Sequence, residues 1–128
     1  MGAGPCGLSA AIELEKIGVS CTVIERGNIV DAIYRYPTHQ TFFSSANLLE
    51  IGDIPFICKD LKPRRQDALV YYREVVTRTG LNVHPFETVE SVEKIDNRFV
   101  VTSKHERRGE IVREADYVIL ATGYYGRP

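Results

Sequence analysis

The sequence has 128 residues, of which 44% are hydrophobic, 9% aromatic and 26% charged, enough apolar side chain to build the core of one ordinary domain. Lys and Arg number 16 against 17 Asp and Glu, a formal net charge of −1, which excludes the strongly basic face of a nucleic-acid binder. No apolar stretch approaches the roughly 20 residues that span a bilayer, and no basic segment precedes an apolar core at the N-terminus, so no membrane partner is expected and the expected address is the cytoplasm.

In chain order, Leu8, Ala11, Ile12 and residues 14–17 recur on a helical period, opened by Pro5 and closed by Gly18. Cys21-Thr22-Val23-Ile24-Glu25 reads as a buried strand, and Arg26-Gly27-Asn28 as the turn after it. Residues 29–62 are irregular but carry Tyr34, Tyr36, Phe42, Phe43 and Phe56, the composition of a packed or ligand-facing segment. A second helix follows Pro63, with Ala68, Leu69, Tyr72, Val75, Val76 and Thr79 on one face, Arg73, Glu74 and Arg78 largely opposite, and Gly80 at its end. Short strand-like runs at 81–83, 89–95, 99–103 and 110–113, separated by Asp96-Asn97 and the charged tip 104–109, suggest an antiparallel meander. The last run, Tyr117-Val118-Ile119-Leu120-Ala121, reads as a parallel strand buried on both faces.

The three cysteines, Cys6, Cys21 and Cys58, form no C-x-x-C pair, and His39, His84 and His105 have no ligand-like spacing, so neither a dithiol centre nor a metal site is expected. Chemistry concentrates in Gly2-Ala3-Gly4-Pro5-Cys6-Gly7, a G-x-G-x-x-G that opens a helix, with Ala11 one turn beyond Gly7 and Glu25 ending the next strand 18 residues after it. Gly2 permits the tight turn, Gly4 lets a pyrophosphate approach the backbone, and Gly7 with Ala11 lets the helix lie against the sheet. Pro5 and Cys6 stand at the positive end of the helix dipole, where an anion is favoured. Glu25 is placed to accept hydrogen bonds from ribose hydroxyls and repels a 2′-phosphate, which favours FAD or NAD over NADP at this site. Arg26 either covers the adenine or points to solvent. The competing reading is a glycine-rich turn with no ligand.

The glycine motif, the stretch Tyr36-Pro37-Thr38-His39-Gln40-Thr41-Phe42-Phe43-Ser44, the helical Tyr71-Tyr72-Arg73 and the terminal Ala121-Thr122-Gly123-Tyr124-Tyr125 together resemble the thioredoxin-reductase-like flavoproteins of the YpdA type, the bacillithiol disulfide reductases. The resemblance covers nearly all of the chain. It implies an α/β, Rossmann-like FAD-binding domain, with a βαβ unit and a β-meander, in an enzyme that takes hydride from NADPH and reduces a low-molecular-weight disulfide. It further implies that Ala121, Thr122 and Gly123 close over the flavin nucleotide, that His39, Gln40 and Thr41 hydrogen-bond the flavin ring or its ribityl chain, and that Val89 lends its backbone to the adenine. Loop packing for the first three and a plain core role for Val89 compete with this. Cys6 is either the redox-active thiol beside the flavin or a small residue filling a tight turn. Tyr124 and Tyr125 carry no assigned role, and the basic groups Lys62, Arg64 and Arg65 and Lys104, Arg107 and Arg108 read as solvated surface.

Only Met1 precedes Gly2, so the expectation over 1–128 is a partial FAD-binding domain without its first strand and C-terminal half, its NADPH domain lying elsewhere in a parent protein. Such a piece is expected to be inactive alone, and the parent's oligomeric state stays open, a homo-oligomer included. Two alternatives stand beside this reading: a flavin-dependent monooxygenase fragment and a non-catalytic nucleotide-binding module.

Overall fold

The computed structural model describes residues 1–124, so Tyr125 lies outside the described residues. Helix α1 spans Pro5–Lys16. Leu8, Ala11 and Ile12 recur one turn apart and are buried, Pro5 starts the helix where no N–H is needed, and Gly18 reverses the chain at φ 80°. Strand β1 (Val23–Ile24) follows and pairs in parallel with β2 (Val83–His84), Val23 opposite Val83.

Between them lie the aromatic-rich segment and α3 (Arg65–Thr79). The segment contains a short helix α2 (Asp31–Tyr34) and a single 3₁₀ turn (Ala46–Leu48), neither of them signalled by the sequence. It is packed, as expected: Val30, Ile33 and Phe56 are buried and Tyr36 and Phe42 half-buried against them. Gly80 ends α3 at φ 66°, its N–H bonded to Val76 O. The buried stripe of α3 differs from the expected face, because Tyr71 is buried along with Ala68, Leu69, Tyr72 and Val75. Its ring stacks on Phe56 at 4.2 Å. Its hydroxyl donates to Ile54 O and accepts from Ile51 N–H, and Tyr72 donates to Leu49 O, so two phenols tie residues 49–54 to the helix. Side chains of α1, β1, α2 and α3 share one core.

Strands β3 (Glu87–Ile95), β4 (Arg98–His105) and β5 (Gly109–Ala115) form the antiparallel meander. Asp96 and Asn97 both take positive φ, which matches the twist of a two-residue hairpin turn. A bulge between Val89 and Ser91 leaves Glu90 unpaired.

The first strand of the unit is expected to be lacking, and residues 1–3, though not a regular strand, lie in its place before the glycine turn. Gly2 N–H donates to Ile24 O, Met1 N to Ile119 O and Ala121 N–H to Met1 O, the last two being the pattern of a parallel ladder. Residues 1–3 thus lie between β1 and residues 119–121. The terminal run departs from expectation: Tyr117 and Leu120 are 86% and 70% exposed, and no regular strand forms there. A parallel strand is buried only when elements cover both its faces, and here the start of α1 packs at Ala121 while Tyr117, Ile119 and Leu120 stay exposed. No described helix is long and apolar enough to cross a membrane.

Candidate functional site

The glycine motif, the end of β1 and Ala121 converge. A Cβ on Gly2, whose φ is 99°, would lie 2.2 Å from Ala121 O, and a Cβ on Gly7 would lie 2.0 Å from Gly2 O. Both glycines are therefore demanded by backbone approaching backbone. Gly4 differs: its φ is −78°, and nothing lies within 4 Å of a Cβ built there. The protein's own packing does not require glycine at position 4, and the space in front of it is open to a ligand.

Gly4 is also the N-cap of α1, in extended conformation, with no side chain capping the helix and no acid in its first turn. The N–H groups of Cys6 and Gly7 and the positive end of the dipole thus face the opening without a competing anion. Glu25 borders it. Its Oε2 accepts from Ala3 N–H at 2.8 Å and its Oε1 from Gly27 N–H at 2.7 Å, leaving each carboxylate oxygen further acceptor capacity for hydroxyl donors. Val30 N–H donates to Ala3 O at 3.0 Å from a left-handed conformation (φ 50°), uncommon for a buried β-branched residue. The arrangement suits a group that carries an anion at one end and hydroxyls at the other.

The sequence-derived residues fall into separate groups. Gly2, Gly4, Pro5, Cys6, Gly7 and Ala121 gather around this opening with Glu25, and Thr122 and Gly123 follow exposed, Gly123 at φ 79°. Val89 lies two residues beyond Glu87, whose N–H donates to Glu25 O at 2.9 Å, so β3 starts at the acidic end of the site. Arg26 is exposed and, among the described residues, has neither hydrogen bond nor ion pair. Gln40 and Thr41 are anchored to the start of α3: Arg65 N–H donates to Gln40 O, and Thr41 bridges Arg64. His39 and Thr41 are exposed. Of the basic groups, Arg64 is paired with Asp60 at 3.7 Å, and Arg65 donates to Tyr34 O and lies over its ring.

Cys6 is exposed. Cys21 and Cys58 are half-buried; burial raises both thiols, nearby Glu15 adds to this at Cys21, and Asp67 and Asp60 add to it at Cys58. A cluster that sequence reasoning missed lies under Glu25. Glu87 and Ser103 are fully buried, Arg113 and Ser103 both bond the Glu87 carboxylate, and His84 Nδ1 stands 3.8 Å from it. A buried acid on one strand and a Ser and an Arg on the next two are each ordinary in sequence, and only strand register brings them onto one face.

The resemblance drawn from the glycine motif and the terminal A-T-G is borne out by comparison with known proteins. The chain is 53% identical over 129 residues to the bacilliredoxin reductase Bdr of Bacillus subtilis (strain 168), covering 100% of this chain and 38% of that relative. A bacillithiol disulfide reductase (Bdr, YpdA) of known structure from Staphylococcus aureus is 53% identical, with a TM-score of 0.90 over 97% of this chain and 37% of its own. The chain thus spans well under half the length of these relatives. A flavin-containing monooxygenase from Stenotrophomonas maltophilia, 24% identical with a TM-score of 0.73 over 88% of this chain and 33% of its own, shares the fold alone. The family model described as pyridine nucleotide-disulphide oxidoreductase matches residues 1–128, the whole chain, and the chain belongs to that family.

Proposed function

We propose that this chain is the FAD-binding portion of a cytoplasmic NAD(P)H-dependent flavoprotein that reduces a disulfide. The observation that carries the cofactor assignment is the open face of Gly4 at an uncapped helix end, flanked by the Glu25 carboxylate. The FAD diphosphate is held by the amides of Cys6 and Gly7 with Pro5 framing the turn, and the adenosine ribose by Glu25. Val89 and Arg26 border the adenine, Ala121, Thr122 and Gly123 close over the nucleotide, and His39, Gln40 and Thr41 supply polar contacts toward the flavin end. FAD supplies two-electron transfer between a nicotinamide and a disulfide. In the overall reaction NADPH, one proton and the disulfide enter, and NADP⁺ and two thiols leave. The chain's own residues bind, orient and neutralise charge.

The substrate is a low-molecular-weight disulfide such as bacillithiol disulfide, in line with the name of the S. aureus relative. The B. subtilis relative is named instead for bacilliredoxin, a second disulfide-bearing substrate class. Single turnover of the flavin-loaded full-length parent enzyme with each substrate distinguishes them. The monooxygenase alternative is the weaker, since the monooxygenase relative is 24% identical against 53% for the disulfide reductase.

The first test is the visible spectrum of the purified protein, followed by heat release and identification of the nucleotide. Recovered FAD is the expected result, and recovery of NAD alone would overturn the assignment. For Cys6 we propose the redox-active thiol: in the full-length parent enzyme, Cys6→Ser should retain flavin and lose disulfide reduction, and unchanged turnover would return it to a space-filling role.

A further inference from the structure

Glu87, the first residue of β3, lies fully buried where the meander meets the parallel strands. Both terminal nitrogens of Arg113 on β5 donate to its carboxylate, as does Ser103 Oγ on β4, and His84 Nδ1 on β2 lies 3.8 Å away. The same residues grip the backbone of Glu25: Glu25 N–H donates to His84 O, and Glu87 N–H donates to Glu25 O, each at 2.9 Å. The carboxylate of Glu25 in turn reaches the glycine turn at Ala3 N–H.

A buried ion pair adds little stability over a well-packed apolar pair, because desolvation offsets most of the attraction. Its best-attested use is to fix one arrangement among several. Here four strands send one charge pair and two further polar side chains to a single point, and that point abuts the backbone on both sides of Glu25.

We propose that Glu87 and Arg113, with Ser103 and His84, form a positioning network that holds Glu25 against the glycine turn, in the place where it meets the ribose end of a dinucleotide. Glu87 and Arg113 touch no ligand and act through Glu25. The ligand named rests on the dinucleotide reading above; the positioning of Glu25 does not.

Amide hydrogen exchange tests the positioning directly. In Glu87→Gln, protection at Ala3 and Gly27, whose N–H groups bond the Glu25 carboxylate, should fall about tenfold, the worth of one hydrogen bond, while Val75 in the middle of α3 keeps its protection. An equal fall at Val75, or no fall at Ala3 and Gly27, would overturn the proposal. A binding cycle with ADP as probe adds the functional arm. Glu87→Gln should weaken ADP about tenfold in the wild-type background and leave it unchanged in a Glu25→Gln background. The same loss in both backgrounds marks a merely structural effect and refutes the proposal. Ser103→Ala, which keeps the ion pair, serves if Glu87→Gln fails to fold; it should show a smaller fall, about threefold, confined to the same two amides, and any other pattern counts against the network. If the wild-type protein binds neither ADP nor FAD, the dinucleotide reading falls and the positioning of Glu25 is judged on the amides alone.

Discussion

Gly4 and Gly7 belong to one hexapeptide, yet substitution should separate them. Gly7→Ala drives a methyl group to 2.0 Å from Gly2 O, a backbone atom that cannot step aside, and should cost about 1–3 kcal/mol in urea unfolding. Gly4→Ala meets open space at a negative φ, so stability should hold within about 0.5 kcal/mol. FAD affinity should nonetheless fall about tenfold or more, because the new methyl occupies the approach to the helix amides. Titration of both variants with FAD checks the contrast, and a Gly4→Ala protein that binds normally would remove the diphosphate from this opening. The cysteines separate in the same way: iodoacetamide followed by mass spectrometry should label exposed Cys6 ahead of Cys21 and Cys58, whose thiols burial holds protonated.

Among the elements, α3 does more than pack against α1 and α2. Tyr71 and Tyr72 reach from it to three backbone groups of residues 49–54, and the packed character of that segment depends on them. Burial pushes the Tyr72 hydroxyl well above its ordinary range, the proximity of Tyr71 and Cys6 adding to this, so it remains a donor at any ordinary pH. Tyr71→Phe leaves Ile51 N–H and Ile54 O without their partner and should cost about 1–3 kcal/mol in thermal or urea unfolding, with faster proteolysis within 49–54. A loss spread evenly over all sites of cleavage would show that the phenol does not anchor that segment. The outer face of α3 carries only ordinary surface interactions such as Glu74 with Arg78, and exposed pairs of this kind contribute little.

For the whole molecule, the buried carboxylate governs the response to acid. Burial disfavours the Glu87 anion, but hydrogen bonds and charge from Arg113, with Ser103, outweigh it and hold the carboxyl below its ordinary value of 4.5. Such a group binds fewer protons folded than unfolded, so its contribution is complete above 4.5 and is lost as pH falls through the folded value. His84 is lowered from 6.5 by burial first and Arg113 second, and its contribution likewise declines as pH drops below 6.5. Urea unfolding from neutral pH downward should therefore weaken in two stages, with the first absent in His84→Gln; a flat profile between 6.5 and 4.5 would contradict the assignment. Arg113→Met alone strands the carboxylate and should cost about 3–5 kcal/mol, whereas Glu87→Leu with Arg113→Met should recover most of that loss.

The glycine turn, both long helices with their Pro and Gly ends, and the hairpin at Asp96-Asn97 were legible from the residues alone, because each is a matter of local φ, capping and period. Glu25 was legible for the same reason: its distance from the glycines is fixed by one helix and one turn. Contacts between distant residues came from the packed fold. Tyr71 is buried because residues 49–54 fold over it, whereas Tyr117, Ile119 and Leu120 stay exposed although residues 1–3 pair alongside them. Val30 is held in a left-handed conformation by Ala3 O. His84, Glu87, Ser103 and Arg113 meet because strand register brings them to one point, and burial of a charge depends on partners that no local pattern specifies.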